Sequence, residues 1–184
     1  MNVSPSEDSR FVAALRAEGG TIAELTSDQE LSGGFTEPAR LAAAGPRVRG
    51  SEAEYELLIE MIVEGCRLHY GPQRVVRTED SDLALLLGDQ LYALGLARLA
   101  QIGDLEAIGE LADVISLVAQ AHVAGVPELA DAVWLAGAVA IGWGTDPRHA
   151  QAKDLARAGD PGAAAALRTA AECRSPLAAD LSGP

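Results

Sequence analysis

Aromatic side chains are scarce in this chain: two phenylalanines, three tyrosines and two tryptophans among 184 residues, 4% of the total. A core with so few rings must be filled by small and branched aliphatic side chains, which suits closely packed helices better than a sandwich of strands. Basic charge is short as well. Fourteen Lys and Arg stand against 27 Asp and Glu, a formal net charge of −13. Phosphate backbones need a basic face, so this balance argues against nucleic acid as a partner and disfavours docking on anionic lipid. Lys153 is the one lysine; with the abundance of alanine, this reads as the coding signature of a GC-rich bacterial genome and carries no functional weight. Cys66 and Cys173 are too few for a disulfide framework, which makes a reducing compartment the default. No stretch reaches the roughly 18 consecutive apolar residues of a membrane span, because Leu83–Leu87 is broken at once by Gly88-Asp89-Gln90. The first residues, MNVSPSEDSR, lack the basic and apolar regions of a secretory signal. The expected location is the cytoplasm, and no membrane span is expected.

What the chain does have is helical punctuation. Residues 1–50 form an expected arm, flexible or peripheral, with short helices at Ser9–Glu18 and from Thr21 to about Glu30, the second opened by a Thr21/Glu24 capping box. SGGFTEPARLAAAGPRVRG then reads as a linker. A helical domain is expected over residues 51–174, followed by a polar tail at 175–184. Ser51 and Glu54 suggest a capping box for a helix that runs to Tyr70 and stops at Gly71-Pro72. Val75-Val76 suits a brief extended pairing, and Asp80 or Ser81 caps the next helix. Gly103-Asp104 ends that helix and opens another, whose expected buried stripe is Ile108, Leu111, Ile115, Val118 and His122. Pro127, Asp146-Pro147 and Asp160-Pro161 start three more. The expectation is an all-α fold, an antiparallel bundle of about five to six helices.

One segment stands out. Leu83–Ile102, LALLLGDQLYALGLARLAQI, is apolar nearly all round, interrupted only by Asp89, Gln90, Arg98 and Gln101. On a helical wheel Gln90, Arg98 and Gln101 share one narrow sector, with Asp89 about 100° from its near edge. A helix with so thin a polar strip is central to a core or covered by a partner chain.

Candidate chemistry is thin. Cys66 and His69 lie three apart on one helical face, but a metal site needs two more ligands than the sequence offers there; the bland reading is a buried thiol beside a partly exposed histidine. Glu79, Asp80 and Asp82 could hold magnesium against a diphosphate, or could simply decorate a helix N-terminus. His122 reads as a core histidine on an apolar stripe, and Trp143 as the anchor of a helix end. No nucleophile elbow, P-loop, HExxH or dinucleotide fingerprint occurs. No catalytic residue, cofactor or metal site is expected. An independent enzyme would have to use the 79–82 carboxylates with His69 and His122.

The run Leu85-Leu86-Leu87-Gly88-Asp89-Gln90-Leu91-Tyr92-Ala93-Leu94, with Gly103-Asp104-Leu105-Glu106 after it and Leu68-His69-Tyr70 before it, resembles a segment of the all-trans polyprenyl diphosphate synthases over roughly residues 55–125. Tyr70-Gly71 stands where that family carries its first pair of aspartates, and no DDxxD occurs. The resemblance therefore implies a small, non-catalytic, isoprenoid-synthase-like helical subunit that acts by helix–helix association. Its partner would be a catalytic prenyltransferase subunit, or the chain would form a homodimer. Leu87, Asp89, Leu91, Tyr92 and Leu94 would then belong to the interface, with the charge of Asp89 offset by Arg98 or Arg67. The alternative is a self-associating structural or regulatory helical module with no isoprenoid role.

Overall fold

Between Ala132 and Thr145 no residue carries a formal charge, and half of the side chains are alanine or glycine. In the computed structural model, which describes residues 7–27 and 35–181, this stretch forms most of the central helix. The fold is all-α, with ten α-helices, one 3-10 turn at Pro46–Val48 and no strand among the described residues. The central helix, α7 (Pro127–Trp143), has twelve of its 17 residues buried. Against it pack α3 (Glu37–Ala43), α6 (Leu105–Ala124) and α9 (Ala163–Arg174). The small side chains of α7 let these neighbours come close. A Cβ at Gly142 would sit 2.5 Å from the carbonyl oxygen of Ala42, and one at Gly45 would run into the backbone of Gly142.

A second group of helices flanks this centre. α4 (Glu52–Tyr70) packs on α3 on one side and on α5 (Ser81–Ile102) on the other. The apolar α5 is thus an edge helix rather than the core helix, and only Ala84, Leu87, Gly88, Leu91, Gly95 and Leu99 of its 22 residues are buried. Gly88 and Gly95 face α4, where added methyl groups would strike His69 and Ile62. α8 (Pro147–Arg157) and α10 (Pro176–Leu181) both pack on α9.

Several sequence expectations need correction here. Residues 7–27 and 35–50 are not a peripheral arm: Phe11, Leu15, Ile22, Phe35, Leu41 and Val48 are all buried in the main core cluster. The stretch read as a linker contains α3, started by Thr36 and Pro38 and wedged between α4 and α7. Helix α2 (Gly20–Leu25) ends sooner than its pattern suggested because Thr26 leaves it to pair with Val76. Ser27 N–H donates to the Val75 carbonyl at 2.8 Å and Arg77 N–H to that of Leu25 at 3.1 Å, so the extended Val75-Val76 is real and its partner is Thr26. Ser51 caps α4 without a side-chain hydrogen bond, and Glu54 pairs with Arg98 instead. Ser175 and Ala178, in the expected tail, are fully buried.

Three of the four aspartates read at helix starts cap with their side chains; α9 instead begins at Ala163 behind Gly162, so Asp160 is not its cap. Asp80 accepts from Asp82 N–H and Leu83 N–H, Asp104 from Ala107 N–H, and Asp146 from His149 N–H. Asp104 also ties three parts of the chain together. Its carboxylate receives Arg47 at 2.7 Å and the Tyr55 hydroxyl at 2.6 Å, while Arg47 also donates to the Ile141 carbonyl at 2.8 Å. Burial alone would raise the Asp104 carboxyl, but the bonds from Arg47, Tyr55 and Ala107 outweigh it and hold it below its ordinary 3.8.

Two outcomes test this architecture. Gly142→Ala forces α7 away from α3 and lowers stability in urea by about 2 kcal/mol or more, whereas Gly109→Ala, inside α6 with nothing within 4 Å, raises it by roughly 0.5–1 kcal/mol. Asp104→Asn costs about 1–2 kcal/mol at neutral pH. Because the folded carboxyl titrates below 3.8, its contribution is complete above that pH and is lost as pH falls through the lower folded value. The stability gap between wild type and D104N should therefore narrow on acidification below pH 3.8.

Candidate functional site

Two carboxylates on α4, one turn apart, shape the region between the helix groups. Glu60 and Glu64 are both fully buried. Glu60 accepts from the Thr36 N–H at 2.8 Å and the Thr36 hydroxyl at 2.7 Å, and it is paired with Arg74. Glu64 accepts from the N–H groups of Val75 and Val76 at 2.6 and 3.0 Å. Thr36 and Arg74 are thus pinned at the Glu60 end of one short acidic step, and the backbone of Val75 and Val76 at its Glu64 end. Burial pushes the Glu60 carboxyl above its ordinary range, against the bonds from Thr36 and the charge of Arg74. Neither glutamate was among the expected site residues. The available signal was their setting, two acids alternating with Ile59, Met61, Ile62 and Val63 in a helix otherwise apolar at that level.

Alongside this step opens a cleft of about 610 Å³, bounded by the Phe35–Arg40 segment, the C-terminal half of α4, His122 of α6 and Trp134 of α7. Cys66, Arg67 and Tyr70 line it from α4. Burial pushes the Cys66 thiol up, and donors from Trp134 and Tyr92 only partly offset this, so the thiol is a poor nucleophile at neutral pH. Tyr70 stacks on His122 with ring centroids 4.5 Å apart. His69 stacks on Tyr92 at 5.2 Å, nearly parallel, and lies 5.5 Å from the Tyr70 ring.

The structure brings Cys66 and His69 onto the same end of α4, where both meet Tyr92 but otherwise have different neighbours. Cys66 faces Trp134 and the cleft, while His69 lies against α5 with Nε2 3.2 Å from the Asp89 carboxylate. No group of three metal-ligating side chains occurs among the described residues. Asp80 spends its carboxylate on the cap of α5. His122 is exposed, so the buried stripe of α6 is rotated from the expected one. Ala107, Glu110, Leu111, Val114, Leu117, Val118 and Ala121 are its buried residues. Glu110 turns inward because it meets His149 Nε2 at 2.7 Å and Lys153 Nζ at 2.6 Å from α8. Trp143 ends α7, and its carbonyl accepts from Arg174 at 2.6 Å.

The five residues expected at an interface do not share one surface. Leu87 and Leu91 are buried against this chain's own core, Tyr92 and Leu94 are half-buried, and Asp89 is exposed. Asp89 sits beside His69 rather than Arg98 or Arg67, and Arg98 is committed to Glu18 and Glu54. The outward face of α5 is instead centred on Leu86, Ala93, Ala97 and Ala100, roughly 100° round the helix from the middle of the polar strip. By length and composition alone α5 and α6 could each cross a membrane, and 33% and 39% of those stretches are buried in the fold.

The two roles of the buried acids separate on substitution. Glu64→Ala leaves the Val75 and Val76 N–H groups without an acceptor and costs about 2–4 kcal/mol, whereas Glu64→Gln keeps one acceptor oxygen for both and costs less than about 1 kcal/mol. Equal losses in the two variants, read from urea melts, would reject this account of the 74–76 loop. The chain matches no family model, no curated protein and no solved structure.

Proposed function

We propose that this chain is a helical association module that pairs with a second copy of itself through the outward face of α5. One observation carries the reading: a 22-residue helix at the edge of a strongly acidic chain turns a line of apolar side chains outward along most of its length, with Asp82 and Asp89 at its border. Leu86 is 66% exposed, and Ala93, Ala97 and Ala100 continue its line. Small side chains at this spacing let two helices approach closely, and an unsolvated contact is the usual reason to keep charge off such a face. The strip also fits itself. An antiparallel register that faces Gln90 to Gln101 of the second copy brings Ala93 and Ala97 of the two chains together on either side of its midpoint. Such a pairing is isologous and closes on itself.

A second reading keeps the same face and changes the occupant to a catalytic prenyltransferase subunit. The two Gly-Asp pairs that prompted it have local duties here: Gly88 admits His69 against α5, and Gly103-Asp104 ends one helix and caps the next. That leaves self-association as the reading with the more direct support, and it requires no catalytic group from the chain.

Light scattering on the purified chain decides between them. The expected species has twice the chain mass at about 10–100 µM and strengthens with salt, because added ions screen repulsion between two chains of charge −13. Leu86→Glu and Ala93→Glu give folded monomers, with stability changed by no more than roughly 0.5 kcal/mol. A wild-type monomer throughout that range overturns the proposal. A mixed complex with a co-expressed prenyltransferase, lost in L86E, would establish the second reading in its place.

A further inference from the structure

The cleft beside α4 is independent of the α5 face and carries a second message. Five arginines are paired with carboxylates: Arg10 with Glu56, Arg47 with Asp104 and Glu106, Arg74 with Glu60, Arg98 with Glu18 and Glu54, Arg157 with Asp113 and Asp154; Arg168 and Arg174 donate to backbone carbonyls instead, and Arg49, Arg77 and Arg148 are exposed. Arg67 differs. It is half-buried in the wall of the cleft, and among the described residues no carboxylate lies within ion-pair distance of it. A partly desolvated guanidinium without an anion is costly, and in a chain with 27 acidic residues an intramolecular partner would have been easy to supply.

The aromatic side chains point to the same place. The chain has seven, and Phe35, Tyr70 and Trp134 line this one cleft. Phe35 is buried in its wall, while Tyr70 is 40% exposed and Trp134 half-buried. The cleft volume of about 610 Å³ falls in the range of small-molecule sites, in which apolar walls hold the body of a ligand and a few polar groups orient it. Arg74 borders the cleft as well, with its guanidinium committed to Glu60. Glu37 lies exposed at the mouth, where it disfavours a second negative group extending toward solvent.

We infer that this cleft binds a small organic anion, one carboxylate or phosphate attached to a flat apolar body, with Arg67 holding the charged group and Tyr70 and Trp134 flanking the body. Arginine suits the role because its planar fork donates two parallel bonds to a carboxylate or phosphate. A free inorganic anion would leave the aromatic walls unused, and a neutral apolar ligand would leave Arg67 unpaired.

The test uses 1-anilinonaphthalene-8-sulfonate, an aromatic anion whose fluorescence reports binding, beside N-phenyl-1-naphthylamine, which has the same rings without the charge. The full-length chain should bind the sulfonate at one site, with a dissociation constant on the order of tens of micromolar. Arg67→Glu should weaken that binding roughly tenfold or more and Arg67→Gln somewhat less, with unchanged circular dichroism and no effect on the neutral probe. Leu86→Glu should leave it unaltered, which separates the cleft from the α5 face. Both 1-naphthoate and 1-naphthyl phosphate should displace the probe, and inorganic phosphate at equal concentration should not. Undiminished binding in folded R67Q and R67E, loss of binding in L86E, or displacement by inorganic phosphate alone would each overturn the assignment.

Discussion

How closely other segments can approach α7 governs the rest of this fold. Its surface is built largely from alanine and glycine, so α3 can lie almost backbone to backbone against it where Ala42, Gly45 and Gly142 meet. Dispersion and hydrophobic burial both depend on how many atoms reach contact distance, so short side chains are an advantage when the helices themselves come closer. The scarcity of aromatics follows: a large ring at this junction would push the helices apart. The two rings α7 does carry, Trp134 and Trp143, are only half-buried, and Trp134 borders the cleft.

Negative charge in this chain is more than a soluble coat. Glu60, Glu64, Glu110 and Asp104 each join segments far apart in sequence, and each accepts more than one hydrogen bond. A carboxylate has two oxygens and several lone pairs, so a single side chain can satisfy two backbone N–H groups or an N–H and a guanidinium together. Where a loop must be fixed against a helix with no room for a bulky apolar plug, an acid of this kind does the fixing. The loops it holds at residues 35–36 and 74–76 flank the cleft, so the shape of the candidate site depends on those hidden acids.

The sequence conveyed the helices of residues 51–174 well because their ends are marked by local chemistry. Asp80, Asp104 and Asp146 cap with their own side chains, and Gly103 and Gly125 adopt positive φ at helix ends. Helix α3 was hidden because a small-residue composition looks the same in a loop and in a closely packed helix. The stripe of α6 was misplaced because Glu110 and His122 exchange their usual places. The reason Glu110 goes inside, His149, lies 39 residues away. Of the candidate site, Cys66, His69 and His122 were visible as residue types, but nothing local to Arg67 marks it as an arginine half-buried in a cleft wall away from any carboxylate.

The single lysine has a consequence for chemistry from outside. Lys153 is held between Glu110 and Asp113 at 2.6 and 2.7 Å, with 13% of its side chain exposed; burial favours the neutral amine, but the bonds and negative charges of Asp113 and Glu110 outweigh it and keep the amine protonated. An electrophile needs the neutral amine with its lone pair free, so acylating reagents meet a guarded nitrogen while α6 and α8 stay together. The rate at which that one ε-amine is modified therefore becomes a clock for the parting of those two helices, built into the native sequence and requiring no introduced label.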